Sequence, residues 1–366
     1  MSNIVFITNS LGFGGAEKML TFVANSLYSK GHKISIINLN TVPNYVNAHR
    51  RAVDEHIVVY ELENGTKKNV KEKLCFTRKA AKKENADIII GFTEMPNAIA
   101  RIVAFTLGIP SIMSERGDPV RTGVGKGSIK NNLVLKLINT SKGGVFQTEG
   151  ARDFYGRGLR NRGVVIPNPI FVTGQVPCVD HNKREKSVVS VGRLDNFQKR
   201  YDVMLEAFKL FSAKHSEYVL KLYGKGSDEE LIKSWVEEKG LSDKVKFMGL
   251  TTRPMQDICN DGMFLITSDY EGISNSLLEA MAVGLPCVST DHTPGGARLL
   301  ITDHENGLLA PVENSEKLAS AMCEFAENSE LAARCGDNAK DVVNRFAPDK
   351  IIDMWESYVL KLISKQ

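Results

Sequence analysis

The side chains with the clearest potential for chemistry stand in the stretch EGISNSLLEAMAVG, which begins at Glu271. A second acid, Glu279, follows eight positions later. Ser276 and Glu279 match the S-x-x-E pattern of a capping box, which predicts a helix that begins near Ser276. Backbone amides at a helix start attract anions, so Asn275, Ser276 and Leu277 are candidates to bind a negatively charged group.

The two acids of this stretch need different explanations. As a capping-box partner, Glu279 would contribute about 1 kcal/mol to helix stability without any ligand. Glu271 lies before the predicted helix and has no capping role. Even on one continuous helix, eight residues would set the two side chains ~80° apart. We therefore expect them to contact different parts of a ligand, with capping as the alternative for Glu279.

Two basic residues follow another apolar run, SVVSV. Arg193 stands just past this predicted strand, and Lys199, six residues later, stands just before a predicted helix. A guanidinium fork and an ammonium group at one strand end suit the two phosphates of a nucleotide diphosphate. A solvated pair of surface charges is the alternative. Gly224, directly after the next predicted strand, would let a ligand approach the backbone.

A glycine-rich loop, NSLGFGGAEKML, follows the first apolar run. Gly12, Gly14 and Gly15 permit a tight turn, and their amides can approach an anion at the following helix start. A nicotinamide fingerprint would need a third glycine where Glu17 stands, which weakens an oxidoreductase interpretation. A strand-to-helix turn without a ligand is the alternative.

A divalent metal is a further possibility, because Asp269 and Glu271 form a D-x-E pair. The positive charge that a metal would supply is already offered by Arg193, Lys199 and the helix start. We therefore expect no metal at this site.

The elements that must position these residues follow one pattern. Apolar runs rich in Val and Ile alternate with amphipathic stretches along the whole chain, which predicts parallel sheets covered by helices. The predicted strands of the first half are NIVFIT, KISIINL, IVVYEL, DIIIGF, PSIMS, GGVFQT and GVVIPN. Those of the second half are SVVSVG, YVLKLYG, KVKFMG, GMFLITS, PCVST and GLLA. This α/β pattern predicts two doubly wound, Rossmann-like domains.

A chain of 366 residues exceeds the usual size of a single core, which also predicts two domains. The Pro-rich segment 167–187 predicts a linker. We expect an N-terminal domain over 1–180, a C-terminal domain over 181–345 and, over 346–366, an amphipathic helix that packs back toward the N-terminal domain. The cleft between the domains is the expected place for a ligand.

Charge and cysteine usage limit the remaining classes. The six cysteines show no CxxC spacing, so we expect reduced, mostly buried thiols rather than disulfides or a zinc site. Without an apolar run long enough to span a membrane, or a leader, the protein is expected to be cytoplasmic. Residues 66–87 and 121–138 are rich in Lys and Arg. A solvated helix face explains such a run, and a peripheral position on the inner, anionic face of the cell membrane is the alternative.

In order and spacing, these motifs resemble the retaining glycosyltransferases of family 4, which have the GT-B architecture of two facing Rossmann-like domains. The resemblance covers nearly the whole chain. It rests on the loop Gly14-Gly15-Ala16-Glu17, VGRL followed by Lys199, LYGKG, VKFMG, EGISNSLLEAMAVGLPCVST and ENGLLAPVEN. It implies transfer of a hexose or N-acetylhexosamine from a nucleotide diphosphate sugar, expected to be a UDP-sugar, to a glycan hydroxyl. Retention at the anomeric carbon and independence of metals and other cofactors are also implied.

The resemblance implies a role for each matched residue. Arg193 and Lys199 hold the donor diphosphate, Glu271 lies at the donor sugar, and Glu279 bonds the ribose. The residues implied to bind the donor are Gly14, Gly15, Arg193, Lys199, Gly224, Asn275, Ser276, Leu277 and Glu279. The residues implied in catalysis are Glu271, Arg193 and Lys199.

One loop departs from the family pattern. Many members have a His after the strand matched by PSIMS, whereas this chain has SERGDP. Glu115 and Arg116 are therefore candidates for the contact with the donor sugar or the acceptor. SERGDP resembles a subgroup that acts in bacterial surface polysaccharide synthesis, which implies a glycan or lipid-linked acceptor and no nucleic acid partner.

Two other classes remain as alternatives. An oxidoreductase would need the missing glycine and an acid at the end of the second strand, where Asn38 and Asn40 stand. A non-catalytic nucleotide-sugar-binding protein would keep Arg193, Lys199 and Glu279 without turning over a donor.

Overall fold

The chain divides into two compact units. The first comprises Met1–Asn168 together with Asp349–Gln366, and the second comprises Pro169–Pro348. The computed structural model describes residues 1–12, 15–41, 48–63, 67–121, 128–172, 176–177 and 180–365.

The first unit contains a parallel sheet and its covering helices. Its strands are β1 (Asn3–Thr8), β2 (Lys33–Thr41), β3 (Val58–Glu63), β4 (Ile88–Phe92), β5 (Ser111–Ser114), β6 (Gly143–Phe146) and β7 (Val164–Val165). They form a seven-stranded sheet in the order β3-β2-β1-β4-β5-β6-β7, with every pairing parallel. The helices are α1 (Gly15–Ser29), α2 (Ala48–Ala52), α3 (Val70–Lys83), α4 (Glu94–Leu107), α5 (Ile129–Ile138), α6 (Glu149–Asp153) and α7 (Arg157–Arg162).

The second unit repeats this plan. Its strands are β8 (Ser187–Val191), β9 (Val219–Tyr223), β10 (Val245–Gly249), β11 (Met263–Ile266), β12 (Cys287–Thr290) and β13 (Leu308–Ala310). They form a six-stranded parallel sheet in the order β10-β9-β8-β11-β12-β13. The helices are α8 (Asn196–Lys199), α9 (Tyr201–Ser212), α10 (Glu229–Glu238), α11 (Pro254–Ile258), α12 (Asn275–Ala282), α13 (Gly296–Leu300), α14 (Ser315–Glu327), α15 (Ser329–Ala339) and α16 (Val342–Arg345).

The central strands explain why helices cover both faces of each sheet. In the first unit every residue of β4 and β5 is buried, as is every residue of β11 and β12 in the second. A strand that is apolar on both faces must be covered on both. In the first unit one face packs against a cluster with Leu20 and the other against a cluster with Val103. Each predicted strand is present, and the predicted α/β class with two Rossmann-like sheets is confirmed.

The change of unit occurs at Asn168–Pro169 rather than near residue 180. Ile170 is buried in a core cluster of the second unit, and its amide donates to the carbonyl of Phe346 at 2.9 Å. Arg184 donates to the carbonyl oxygens of Cys259 at 2.6 Å and Gly284 at 2.8 Å. From Pro169 onward, the described part of the expected linker is therefore packed onto the second unit, because its apolar and basic residues find partners there.

The last helix, α17 (Pro348–Ile363), packs on the first unit. Trp355 is fully buried there and its ring stacks on that of Phe92 at 5.8 Å. The hydroxyl of Tyr358 accepts from the amide of Gly144 at 3.0 Å and donates to the carbonyl of Arg162 at 2.5 Å. The apolar stripe of this helix thus completes the core around β4 and β6.

Most of the described cysteines are buried free thiols. Four described cysteines are buried and free, whereas Cys75 is exposed and free, and Cys178 lies outside the described residues. Within the described ranges, each helix is too short or too polar to cross a bilayer.

Each sheet reverses its strand order at one place. The reversal lies between β1 and β4 in the first unit and between β8 and β11 in the second. In open parallel sheets, ligands bind beside the carboxyl ends of the strands at this reversal. A ligand site is therefore expected at each of these two places.

Candidate functional site

In the second unit, the loops that follow β8 and β11 lie at the strand reversal. The loop after β8 contains Arg193 and leads into α8, which ends at Lys199. The loop after β11 contains Asp269 and Glu271 and leads into α12. The amide of Asp269 donates to the carbonyl of Gln198 at 3.0 Å, which joins the two loops directly.

Lys199 is held in place by the turn that surrounds it. Asp195 caps α8 by accepting from the amide of Phe197 at 3.1 Å. Arg200 follows in a left-handed conformation with φ 54°, and its guanidinium bonds Asp269 at 2.8 Å. The hydroxyl of Thr267 donates to the carbonyl of Lys199 at 2.8 Å. The end of β11 thereby fixes the backbone at Lys199.

Lys199 and Glu271 form an ion pair at the centre of this region. Their side chains are only 14% and 12% exposed, and the amide of Glu271 donates to the carbonyl of Thr293 at 2.8 Å. Burial, the largest single effect, would raise the pKa of the Glu271 carboxyl, but the interactions with Lys199, His292 and Ser274 together outweigh it and the pKa is lowered. Glu271 is therefore a carboxylate at neutral pH.

Several buried polar atoms at this edge lack a hydrogen-bond partner within the described part of the chain. They are Ser268 Oγ, Asp269 Oδ1, Glu271 Oε2 and His292 Nε2. Buried polar atoms are normally satisfied, so such a group of atoms needs an explanation. Burial lowers the pKa of His292, although the charge of Glu271 acts in the opposite direction. The arrangement can accept a polar ligand that supplies the missing hydrogen bonds.

Arg193 lies on the same loop but has different partners. Its side chain is 63% exposed, pairs with Asp195 at 3.0 Å and donates to Gln198 at 3.3 Å. The structure thus places Arg193 and Lys199 at the same strand end, as expected, while only Lys199 pairs with Glu271.

The glycines after the strands bring the loops together. A Cβ at Gly224, where φ is +145°, would lie 1.8 Å from the carbonyl oxygen of Gly192. A Cβ at Gly296 would lie 1.6 Å from the carbonyl oxygen of Gly272. The group that approaches Gly224 is therefore the neighbouring loop, which accounts for glycine at this position without a ligand.

The start of α12 differs from the predicted capping box. The helix begins at Asn275, and its N-cap is Ser274, whose hydroxyl accepts from the amide of Leu277 at 3.4 Å. Glu279 is the fifth residue of the helix, so the predicted cap at Ser276 with Glu279 as its partner is wrong. The sequence SNS contains two possible caps, and only the first precedes the helix. Leu277 uses its amide in the cap, while Asn275 and Ser276 lie at the positive end of the helix.

In the first unit, the strand reversal brings together residues after β1 and β4. The amide nitrogen of the Asn9 side chain donates to the hydroxyl of Thr93 at 3.5 Å. Ser10 donates to Glu17 at 2.9 Å, which supports the start of α1 at Gly15. No atom of the described residues lies within 4 Å of a Cβ built on Gly15. Gly14 lies outside the described residues.

Glu115 and Arg116 follow β5 on the same edge of the first sheet. Tyr155 donates to Glu115 at 2.6 Å, and Arg116 donates to Asn168 at 2.5 Å. Burial raises the pKa of Glu115 and lowers that of Arg116. Nε and Nη1 of Arg116 are buried and have no partner among the described residues. This guanidinium is therefore available to an oxygen-rich ligand.

Reasoning from the sequence missed three residues at the main site. His292 follows β12, Ser268 follows β11, and Arg200 follows Lys199. His292 and Ser268 each follow the end of a strand, so the rule that ligands bind at the carboxyl ends of strands could have identified them. Arg200 instead follows the short helix α8. The ion pair between Arg200 and Asp269 forms only in the tertiary structure, so no local sequence pattern predicts it.

Residues 178–342 match the model of the family described as Glycosyl transferases group 1. The chain is 24% identical over 362 residues to an uncharacterized glycosyltransferase of Haemophilus influenzae, covering 96% of this chain and 98% of that protein. It is 23% identical over 385 residues to an alpha-1,4-N-acetyl-D-galactosaminyltransferase of Campylobacter jejuni, whose name gives a PP-undecaprenol-linked glycan as its acceptor. That match covers 100% of this chain and 99% of the relative.

A solved structure has the same fold. The Anabaena protein HepE, in complex with UDP, superposes with a TM-score of 0.81 at 19% identity, covering 98% of this chain and 100% of that one. With the two parallel sheets and the family match over residues 178–342, these findings support a glycosyltransferase of the GT-B fold.

Proposed function

We propose that this protein is a retaining glycosyltransferase of family 4. It moves a hexose or N-acetylhexosamine from a UDP-sugar to a hydroxyl of a lipid-linked glycan in bacterial surface polysaccharide synthesis. The UDP in HepE supports the choice of nucleotide. The PP-undecaprenol-linked acceptor named for the Campylobacter relative supports the choice of acceptor.

One observation carries this proposal. At the strand reversal of the second unit, a nearly buried lysine and carboxylate are paired, and the second carboxylate oxygen, Glu271 Oε2, is buried without a partner in the described chain. A sugar hydroxyl is a donor that would satisfy this oxygen. A phosphate oxygen is the acceptor that suits Lys199 beside it. A molecule with both groups, such as a nucleotide diphosphate sugar, matches the pair.

The remaining roles follow from charge and position. We assign Arg193 and Lys199 to the diphosphate, together with the amides of Asn275 and Ser276 at the positive end of α12. Leu277 supports this helix start through its bond to Ser274. We assign Glu279 to the nucleotide ribose.

Four residues of the first unit are assigned to the substrates as well. Gly14 and Gly15 belong to a loop that contacts phosphate or acceptor. Glu115 and Arg116 are assigned to hydroxyl groups of the donor sugar or the acceptor, because two nitrogens of the buried guanidinium have no partner among the described residues.

The proposed reaction uses the leaving group as its base. The acceptor oxygen bonds to the anomeric carbon on the face from which the diphosphate departs, and the bond from that carbon to the diphosphate oxygen breaks. The released oxygen takes the proton of the acceptor hydroxyl. Retaining hydrolases instead use a carboxylate nucleophile. Here the protein stabilises the charge of the departing phosphate through Lys199 and Arg193, so no metal is required.

The test is a panel of UDP-, GDP- and ADP-sugars added to the wild type, Lys199→Ala and the matched control Lys225→Ala. Lys225 is an exposed lysine on the loop after β9. A UDP-sugar should raise the melting temperature of the wild type and the control but not of Lys199→Ala. Turnover should fall by about 10²- to 10³-fold in Lys199→Ala, since a preorganised charge is lost.

Turnover of a labelled donor and NMR of the product complete the test. Transfer with an unchanged anomeric configuration is the expected result. Stabilisation by a nucleotide sugar without transfer to any acceptor would instead identify a binding protein. If no nucleotide sugar stabilises the wild type, the proposed function is wrong.

A further inference from the structure

A cavity of about 1020 Å³ lies in the first unit. Ser111 begins β5, and Lys142 and Gly163 immediately precede β6 and β7, so the cavity opens at the amino-terminal ends of these strands. Glu115 and Arg116 follow the carboxyl end of β5. Helix α17 supplies another wall through Tyr358, Lys361 and Leu362, and Lys365 follows just after the helix.

The lining of this cavity is strongly basic. Of the described residues that line it, five are basic and none is acidic: Arg101, Lys142, Arg162, Lys361 and Lys365. Among the described residues, none of these five forms an ion pair with an acid. Arg101 and Arg162 donate to the carbonyl oxygens of Thr140 at 3.0 Å and Ser141 at 3.1 Å. These bonds position the guanidinium groups without neutralising them, so the cavity attracts anions.

Apolar side chains share the same cavity. Ile109, Val164 and Leu362 line it, together with Phe105, which is 74% exposed. The guanidinium of Arg101 lies over the Phe105 ring, 5.3 Å from its centroid. An aromatic ring held by a cation beside open apolar surface is a suitable contact for a hydrocarbon chain.

A buried hydroxyl also points to a missing partner. Ser111 lines the cavity and is 2% exposed, and its Oγ has no hydrogen-bond partner in the described chain. Buried hydroxyl groups are rarely left unpaired. A ligand oxygen in the cavity would supply the partner.

We propose that this cavity binds a phosphate-bearing amphiphile, with the phosphate among the five basic side chains and the hydrocarbon on Phe105, Ile109 and Leu362. A dianionic phosphate suits several converging cations better than a single carboxylate does. The cavity lies at the opposite strand ends from Glu115 and Arg116, so this site is separate from those two proposed substrate contacts.

Calorimetric titration of the full chain with three soluble probes tests the site. The probes are dihexanoyl phosphatidic acid below its micelle concentration, dihexanoyl phosphatidylcholine and inorganic phosphate. We expect the phosphatidic acid to bind at least about tenfold more tightly than either of the others, since it alone offers both groups. Equal affinity for phosphatidylcholine would overturn the anionic part of the proposal. Equal affinity for inorganic phosphate would overturn the apolar part.

Charge reversal locates the site. The double variant Lys142→Glu with Lys361→Glu should weaken binding of phosphatidic acid by at least about tenfold, given the usual effect of each lysine on anionic lipid. Both side chains are exposed, so the melting temperature should be unchanged. The matched control, Lys79→Glu with Lys82→Glu on α3, changes charge equally outside the cavity and should bind as the wild type does. Equal weakening in both variants would refute the assignment.

The hydroxyl of Ser111 gives a second readout. Ser111→Ala removes a buried, unpartnered group, so the melting temperature without ligand should not fall. Affinity for phosphatidic acid should fall because a ligand contact is lost. Unchanged affinity would contradict the assignment of this hydroxyl to the ligand.

Discussion

At the scale of single residues, the Lys199–Glu271 pair combines burial with an unsatisfied oxygen. Charges removed from water are stable only when they are paired and bonded. Here the pair satisfies Lys199 and one oxygen of Glu271, while Oε2 has no partner in the described chain. The site thus holds a carboxylate that is positioned before any ligand arrives, which reduces the cost of ordering it during binding.

Glu271→Gln should show a pH-dependent loss of stability. The pKa of Glu271 is lowered in the folded protein from an ordinary value of 4.5. A lowered folded-state pKa stabilises the fold above the unfolded-state pKa, and this contribution disappears as the pH falls through the lower value. Urea denaturation at pH 7 should therefore show Glu271→Gln to be less stable than the wild type. The difference should shrink when the pH is taken below the folded-state pKa. A difference that is constant with pH would contradict the pairing.

The residue scale also separates capping from ligand binding at α12. Ser274→Ala should lower the free energy of unfolding by about 1 kcal/mol, because the N-cap is lost. Glu279→Gln should leave stability within about 0.5 kcal/mol, since Glu279 lies beyond the capping positions. It should nevertheless weaken UDP-sugar binding in a titration. Unchanged affinity for the UDP-sugar in Glu279→Gln would contradict the assignment of Glu279 to the ligand.

At the scale of elements, glycines determine how closely the strand-end loops approach. The loops after β8 and β9 meet at Gly192 and Gly224, and those after β11 and β12 meet at Gly272 and Gly296. Because glycine has no side chain, the two backbones can pack directly against each other. This contact fixes the position of each loop. The elements that carry Lys199 and Glu271 are therefore held by their neighbours, so a substitution at a glycine should disturb the site from a distance.

Gly224→Ala should destabilise the second unit by roughly 2 to 5 kcal/mol, because the added Cβ overlaps a carbonyl and the backbone has a positive φ. Gly240→Ala is the matched control, since φ is +69° there and no atom in the described part of the chain lies within 4 Å of the added Cβ. That control should cost only about 1 kcal/mol. Urea denaturation followed by circular dichroism compares the two. Similar costs would show that the contact with Gly192 is unimportant.

At the scale of the whole molecule, basic side chains are concentrated in the first unit. On α3, Lys71, Arg78, Lys79, Lys82 and Lys83 are exposed. Part of the second basic segment, residues 122–127, lies outside the described residues. The described part continues on α5, where Lys130 and Lys136 are exposed beside Ile129 and Leu133. This distribution supports the hypothesis of contact with an anionic membrane, which a lipid-linked acceptor would require.

Sedimentation with vesicles tests the membrane hypothesis. The protein should sediment with anionic vesicles at low salt and remain in solution with neutral ones, because each lysine near the surface contributes about 1 kcal/mol. Lys79→Glu with Lys82→Glu should reduce the bound fraction, whereas Lys142→Glu with Lys361→Glu should not. No sedimentation of the wild type at low salt would exclude this contact.

Much of this architecture can be predicted from local sequence patterns. Runs such as NIVFIT and GMFLITS are apolar on both faces, which only a covered parallel strand tolerates, so the strands and the α/β class could be predicted. The positions of Lys199 and Glu271 after strands could be predicted for the same reason. For the cap of α12, the sequence predicts Ser276, two residues after the observed Ser274, because either serine of SNS can cap and only packing selects between them.

The tertiary structure decided what depends on contacts between distant parts of the chain. From the sequence alone, the strands, their helices and the candidate residues at the strand ends could be determined, because burial and backbone preference act over a few residues. The boundary at Asn168–Pro169, the pairing of Lys199 with Glu271 and the cavity lined by α17 could not. Each requires side chains far apart in sequence to meet, and such meetings are set by packing of the whole fold rather than by local preference.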